Sequence, residues 1–94
     1  MDNKIYMFNL LFEEARNIKQ MIVEIFYNDI ALDKFYLLFE TYKLMLLEII
    51  DDFNLLKNNY PKDNELFSKC ELEIKNINIL INECNKHISL VKNN

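Results

Sequence analysis

The apolar residues between Leu32 and Leu56 follow an unbroken alternation of three and four positions. This spacing places them in one row along one side of an α-helix. The row consists of Leu32, Phe35, Phe39, Tyr42, Leu46, Ile49, Phe53 and Leu56. A helix of this kind depends on other elements that cover its apolar side, so the pattern predicts partner helices packed against it.

Two further apolar rows with the same spacing lie before and after this segment. The first comprises Phe8, Leu11, Ala15, Ile18, Ile22 and Ile25, and it is widened by Met7, Met21 and Phe26. The last comprises Phe67, Cys70, Ile74, Ile77, Ile81, Cys84, Ile88 and Val91. The three rows predict helices at about 3–27, 30–58 and 63–91 in a single helical domain over 1–94. The fold class that we expect is all-α, as an antiparallel three-helix bundle with short loops.

Two polar segments mark the ends of the predicted helices. Asn28 and Asp29 tolerate left-handed backbone geometry and suit a turn followed by a helix cap. The segment 58–63 contains Pro61, which cannot continue a helix interior, and Tyr60 before it is pushed away from helical geometry. Asp63 is a candidate N-cap for the third helix.

The first of these turns has an alternative. The heptad repeat of apolar residues continues across this turn in the same register, since Ile25 ends one row and Leu32 begins the next seven positions later. Residues 3–58 then form one helix of a long helical hairpin that dimerises as a coiled coil. That arrangement places Asp29 at a core position, where an unpaired carboxylate is costly, and this cost favours the turn.

Composition and charge exclude several classes of function. The chain has 94 residues with no glycine and a net charge of −4. Without glycine it has no phosphate-binding loop and no dinucleotide-binding fingerprint. The acidic balance leaves no basic patch for a phosphate backbone, so we expect no nucleic-acid partner.

The longest apolar run, residues 44–47, is far shorter than a membrane span. The N-terminal residues also lack the uninterrupted apolar stretch of a signal peptide, because Glu13, Glu14 and Arg16 interrupt it. We therefore expect no membrane span and a cytoplasmic location.

Residues that carry catalysis or hold metals are few and widely spaced. Cys70 and Cys84 are fourteen positions apart on one helical face, about 21 Å, so they cannot form a disulfide within one helix. His87 lies near Cys84 and Glu83 but lacks the further ligands of a zinc site. A pair with Glu83, or a cation near the helix C-terminus, is the expected role of this histidine. We expect a non-enzyme with no catalytic residue, no cofactor and no metal.

Apolar residues also recur on the backs of the predicted helices. In the second helix they form the Leu37 strip, made of Leu37, Leu44 and Leu55 with the neighbouring carboxylates Asp33, Glu40 and Asp51. In the third helix Leu72, Ile79 and Leu90 repeat the same spacing and form the Leu72 strip, and the first helix has a thinner version in Ile5, Phe12 and Val23. Scattered exposed leucines are ordinary, whereas contiguous apolar rows mark partner sites.

These strips predict a protein that acts by binding another protein through helix–helix contact, as an adaptor, export chaperone or inhibitor. The Leu37 strip suits an amphipathic partner helix that bears basic residues. The alternative is a self-assembling structural protein, a helical homodimer whose strips are subunit contacts.

The outline of the chain resembles two groups of small helical proteins. In length, helix succession and acidity it resembles flagellar export chaperones, and this resemblance implies that it holds a partner's helix. In size and helical content it is similar to bacteriocin immunity proteins, which implies an inhibitor, and a phage-encoded inhibitor is a related alternative. Both resemblances rest on helix lengths over most of the chain, so neither assigns a role to a particular residue.

Overall fold

The structure is a computed structural model that describes residues 3–27 and 32–92, without the side chains of Leu32 and residues 90–92. Its helices are α1 (Asn3–Tyr27), α2 (Leu32–Asn59) and α3 (Asn64–Lys92). The described ranges contain no strand. The predicted all-α three-helix bundle is confirmed, with helix bounds close to those expected from the sequence.

The overall dimensions decide between the bundle and the long hairpin. The molecule measures 50 × 21 × 16 Å, whereas a continuous helix over residues 3–58 is about 84 Å long. Helices α1 and α2 also pack against each other, so the chain reverses direction between them. The continuous-helix alternative is therefore wrong. The predicted turn residues Asn28 and Asp29 lie outside the described residues.

Asp63 organises the connection between α2 and α3. Its Oδ1 accepts a hydrogen bond from the amide of Leu66 at 3.0 Å, which confirms the predicted N-cap. Lys4, at the start of α1, forms an ion pair with the Asp63 carboxylate, and its Nζ lies 5.5 Å from the ring centre of Tyr60. The bond from Lys4 and the Leu66 amide hold the pKa of Asp63 below its usual range. The turn is thereby tied to the first turn of α1.

The core follows the three predicted rows, with α2 at its centre. Phe39, Leu46 and Phe53 have no exposed surface. Around them lie the other buried residues of the core, namely Leu11, Ala15, Ile18, Ile22, Ile25, Phe35, Ile49, Leu56, Leu66, Cys70, Ile77, Ile81, Cys84 and Ile88. Phe8, Tyr42 and Ile74 are partly buried against this cluster.

The three residues predicted to widen the α1 row are exposed. Met7, Met21 and Phe26 keep 42%, 44% and 38% of their surface in contact with solvent. A helix in a three-helix bundle has only two neighbours, so a single row is buried and the flanking positions stay at the boundary. The prediction that these three side chains belong to the core is therefore wrong.

Phe67 is a second correction, since it is 47% exposed while Leu66 is only 6% exposed. Leu66 precedes Cys70 by four positions and Phe67 precedes it by three. The alternation of three and four therefore permits either residue to continue the buried row of α3. The structure turns Leu66 inward and places Lys57 Nζ 4.8 Å from the centre of the Phe67 ring. Phe67 therefore packs at the seam between α2 and α3, outside the core.

We predict that Leu46→Ala lowers the free energy of unfolding by about 2–5 kcal/mol, because it leaves a cavity in the centre of the bundle. Leu44→Ala is the matched control, since Leu44 is the same residue type two positions away and is 63% exposed. It should change stability by no more than about 0.5 kcal/mol. Urea denaturation followed by circular dichroism measures both, and equal losses would show that the inward face is wrongly assigned.

We predict that both thiols react slowly with an aromatic disulfide reagent in the folded protein. Cys70 and Cys84 are free and buried, and burial raises the pKa of both, that of Cys84 to about 11. The reactive thiolate is therefore scarce at pH 8. Labelling should become fast in denaturant, and the single variants Cys70→Ser and Cys84→Ser separate the two sites. Fast labelling of the native protein would contradict the buried placement.

Candidate partner-binding surfaces

The Leu37 strip lies on the side of α2 that faces away from the core. Leu37, Leu44 and Leu55 are 70%, 63% and 61% exposed. Of the neighbouring carboxylates, Asp33 and Asp51 are exposed and Glu40 is half-buried. The strip is bordered by further exposed apolar residues at 37–41%, namely Tyr36, Leu38, Met45 and Leu47. The apolar surface on α2 is thus wider than the row of three leucines indicates.

The Leu72 strip lies on α3, where Leu72 is 56% and Ile79 is 49% exposed. The side chain of Leu90, its third predicted member, lies outside the described residues. On α1, the thinner row of Ile5, Phe12 and Val23 is exposed at 57%, 37% and 38%. The exposure of these residues agrees with the pattern in the sequence, while their role in binding stays a prediction.

The structure brings the apolar rows of α1 and α3 together in an open groove of about 540 Å³, which we call the α1/α3 groove. The groove is lined by Phe12, Ala15, Arg16, Lys19, Leu46, Glu73, Asn76, Ile77, Ile79, Leu80 and Glu83. From α2 it includes only Leu46, whose side chain faces the core. The Leu37 strip, on the opposite side of α2, is therefore a separate surface.

The groove exists because α1 and α3 pack together much less closely than either packs against α2. Ala15, the smallest residue of the α1 row, lines this groove. The helices approach each other at both ends. The ion pair between Lys4 and Asp63 joins their first turns, and the rings of Phe26 and His87 meet edge-on at 4.7 Å near their last turns.

The two walls of the groove carry opposite charges. The α1 wall contributes Arg16 and Lys19, and the α3 wall contributes Glu73 and Glu83. Arg16 lies 3.7 Å from Glu13, a contact between exposed side chains three positions apart. Such pairs contribute little to stability and exchange readily with solvent or another ion.

Glu73 is the most unusual charge of the groove. It is half-buried, and burial raises the pKa of its carboxyl above the usual range, with the nearby charge of Lys19 acting in the opposite direction. Within residues 3–27 and 32–92, Glu73 has no hydrogen bond and no ion pair within 4 Å. A cation placed in the groove beside it would compensate this desolvated carboxylate.

Sequence reasoning identified Phe12 and Ile79 as exposed apolar residues, but it did not place them in a common groove. It also passed over Lys19, Glu73 and Leu80, which line the same space. The sequence feature that could have indicated the groove is the small side chain of Ala15 in the otherwise bulky apolar row of α1. Lys19 and Glu73 are far apart in the chain, so no local pattern relates them.

Among the described residues His87 forms no ion pair with Glu83, the first of its two expected roles, while its role as a cation near the helix C-terminus stays a prediction. Glu83 lies 3.9 Å from Lys86, and the imidazole ring instead packs against Phe26 and, at 6.3 Å, against Phe35. In the part of the chain that the structure describes, no group of three or more His, Cys, Asp or Glu residues is placed to hold a metal ion. Among the described residues, no helix combines the length and apolarity that a membrane span requires.

We predict that Glu73→Gln raises the melting temperature at pH 7. Because the folded-state pKa of Glu73 is raised, the folded protein disfavours the ionised form, and this penalty is present above the folded pKa and disappears as the pH falls through it. The gain should therefore shrink as the pH is lowered toward 4. Glu14→Gln removes the same charge from an exposed position on α1 and is the control. An equal gain in both variants would indicate a net-charge effect.

Comparisons with known proteins identify no relative. No protein-family model matches the chain, no curated protein matches it, and no solved structure matches it.

Proposed function

We propose that this protein is a non-enzymatic, cytoplasmic binding module that captures a basic amphipathic helix of another protein on the Leu37 strip. In this role it acts as an adaptor, an export chaperone or an inhibitor. The observation that supports the proposal is the row of three leucines, each more than 60% exposed, beside a line of carboxylates. Contiguous exposed apolar surface bordered by polar residues is typical of a protein-interaction site.

The apolar part of the strip supplies the binding energy. A leucine that a partner covers completely contributes about 1.5–3 kcal/mol, before the ordering costs of binding are subtracted. Three such residues spaced along one helix offer anchor points to an opposing helix with an apolar row of similar spacing. The exposed side chains that border the strip, including Leu38 and Met45, extend the area that the partner covers.

The charges of the strip determine which helix it prefers. Asp33, Glu40 and Asp51 flank the leucines, and lysine or arginine on the edge of the partner helix complements them. These carboxylates, of which Asp33 and Asp51 are exposed, should influence association rate and salt dependence more than final affinity. A partner with an acidic edge encounters like charges and is disfavoured.

The same charges oppose self-association through this strip. In an antiparallel two-fold dimer that pairs Leu37 with Leu55 of a second copy, Glu40 of one copy lies near Asp51 of the other, because the same flank of each helix meets across the two-fold axis. Contacts between like charges disfavour a complex. The self-assembling structural dimer is therefore the weaker proposal, and the oligomeric state tests it directly.

We predict that a designed helical peptide with a leucine row flanked by lysines binds the protein, and that Leu37→Gln/Leu44→Gln weakens this binding at least ~10-fold. Both replaced side chains are exposed, so the melting temperature should change little. Calorimetric titration measures the affinity, and raising the salt concentration should weaken it. Ile5→Gln is the matched control, since Ile5 is an apolar residue on α1 that is 57% exposed.

Three results would contradict the proposal. Equal affinity of the peptide for wild type and the double variant would show that the strip is ordinary surface. Equal affinity for a peptide with glutamates in place of the lysines would show that the carboxylates of the strip do not select a basic helix. A dimer that dissociates in sedimentation when Leu37 and Leu44 are replaced would assign the strip to self-assembly instead.

A further inference from the structure

We propose that the α1/α3 groove is a second, independent binding site, which takes one amphipathic helix of a partner protein. The helix presents an apolar row to the groove floor, an acidic edge to α1 and a basic edge to α3. This inference goes beyond the proposed function, because it concerns a different surface and a partner of different charge. The protein then has two sites for helices on opposite sides of α2.

The shape of the groove matches a helix. Beneath it lie the buried apolar residues Ala15, Leu46 and Ile77, and the apolar surface that a partner can cover belongs to the exposed Phe12 and Ile79 and to the partly buried Leu80. The open part extends along α3 from Glu73 to Glu83, about 15 Å, which equals roughly three turns of a docked helix. A helix in this position packs against both α1 and α3 and completes a four-helix bundle.

The charges of the walls determine the edges of the occupant. Lys19 and Arg16 on the α1 wall attract an acidic edge, while Glu73 and Glu83 on the α3 wall attract a basic one. Glu73 is the strongest determinant, because it is half-buried and has neither a hydrogen bond nor an ion pair within the described part of the chain. Arg16 and Glu83 already contact Glu13 and Lys86, but only at 3.7 Å and 3.9 Å on the surface. A bound helix can replace such weak pairs.

A second copy of this chain is a poor occupant for the groove. Its most prominent exposed row, the Leu37 strip, has Glu40 on one side, while the other side carries Asp52 together with Lys34. Such a helix complements the α1 wall, but its second edge has no net positive charge with which to match Glu73 and Glu83 on the α3 wall. The occupant is therefore a different protein, whose helix carries opposite charges on its two edges.

The test uses three designed helical peptides that share one leucine row. The first has glutamates along one edge and lysines along the other, the second has glutamates on both edges, and the third has lysines on both. All three are titrated calorimetrically into the full chain carrying Leu37→Gln/Leu44→Gln, so that binding at the Leu37 strip does not contribute. We expect the mixed-edge peptide to bind at least ~10-fold more tightly than either of the others.

Substitutions of groove residues test whether the mixed-edge peptide binds in the groove. Adding Phe12→Gln/Ile79→Gln should weaken binding of the mixed-edge peptide at least ~10-fold. Both side chains are exposed, so the melting temperature should stay unchanged, and this measurement verifies that the variant is folded. Glu73→Gln should reduce the preference for the mixed-edge peptide over the all-acidic one, because it removes the repulsion at the α3 wall. Ile5→Gln, outside the groove lining, is the matched control and should have no effect.

The outcome is decisive in either direction. The proposal is overturned if the mixed-edge peptide binds no more tightly than both single-charge peptides, or if Phe12→Gln/Ile79→Gln leaves its affinity unchanged. It is also overturned if sedimentation finds a dimer that these two substitutions dissociate, since a second copy then fills the groove. Neither result bears on whether the all-basic peptide binds the Leu37 strip of the wild-type protein. The proposal for the groove and the proposal for the Leu37 strip can therefore be refuted independently.

Discussion

Burial of the apolar row of α2 is the interaction on which the rest of this structure depends. Phe39, Leu46 and Phe53 are completely enclosed, although the described residues supply only two other helices with which to enclose them. Both α1 and α3 must therefore turn their single apolar rows toward α2. The two antiparallel contacts that result, α1 with α2 and α2 with α3, form the main packing of the bundle.

The loose contact between α1 and α3 is a consequence of this arrangement. Each outer helix has one row, and that row is already directed at α2, so little apolar surface remains for the other outer helix. The small residue Ala15 lines the space between them, and the contacts of Lys4 with Asp63 and of Phe26 with His87 hold the two ends together. The middle parts of α1 and α3 stay apart, and the space between them is the α1/α3 groove.

The two candidate surfaces differ in shape and charge, and the partners that we propose for them differ accordingly. The Leu37 strip is an outward-facing helix surface whose leucines lie among carboxylates, and the partner proposed for it is a basic helix that lies across it. The α1/α3 groove has oppositely charged walls, and the partner proposed for it has two different edges. In this proposal the module brings two helices together on opposite sides of one small bundle, as an adaptor does.

The sequence by itself determined the helices, their ends and most of the core. The regular spacing of apolar residues, the proline at position 61 and the cap at Asp63 are local features, and local hydrogen bonding and sterics respond to them directly. The exposure of the Leu37 strip was also predictable, since a residue opposite a buried row cannot face the core. Only the tertiary structure decided that Leu66 and not Phe67 is buried, because the spacing permits both and packing selects one. It also decided the groove, since Phe12, Lys19, Glu73 and Ile79 belong to different helices and come together only through the way α1 and α3 flank α2.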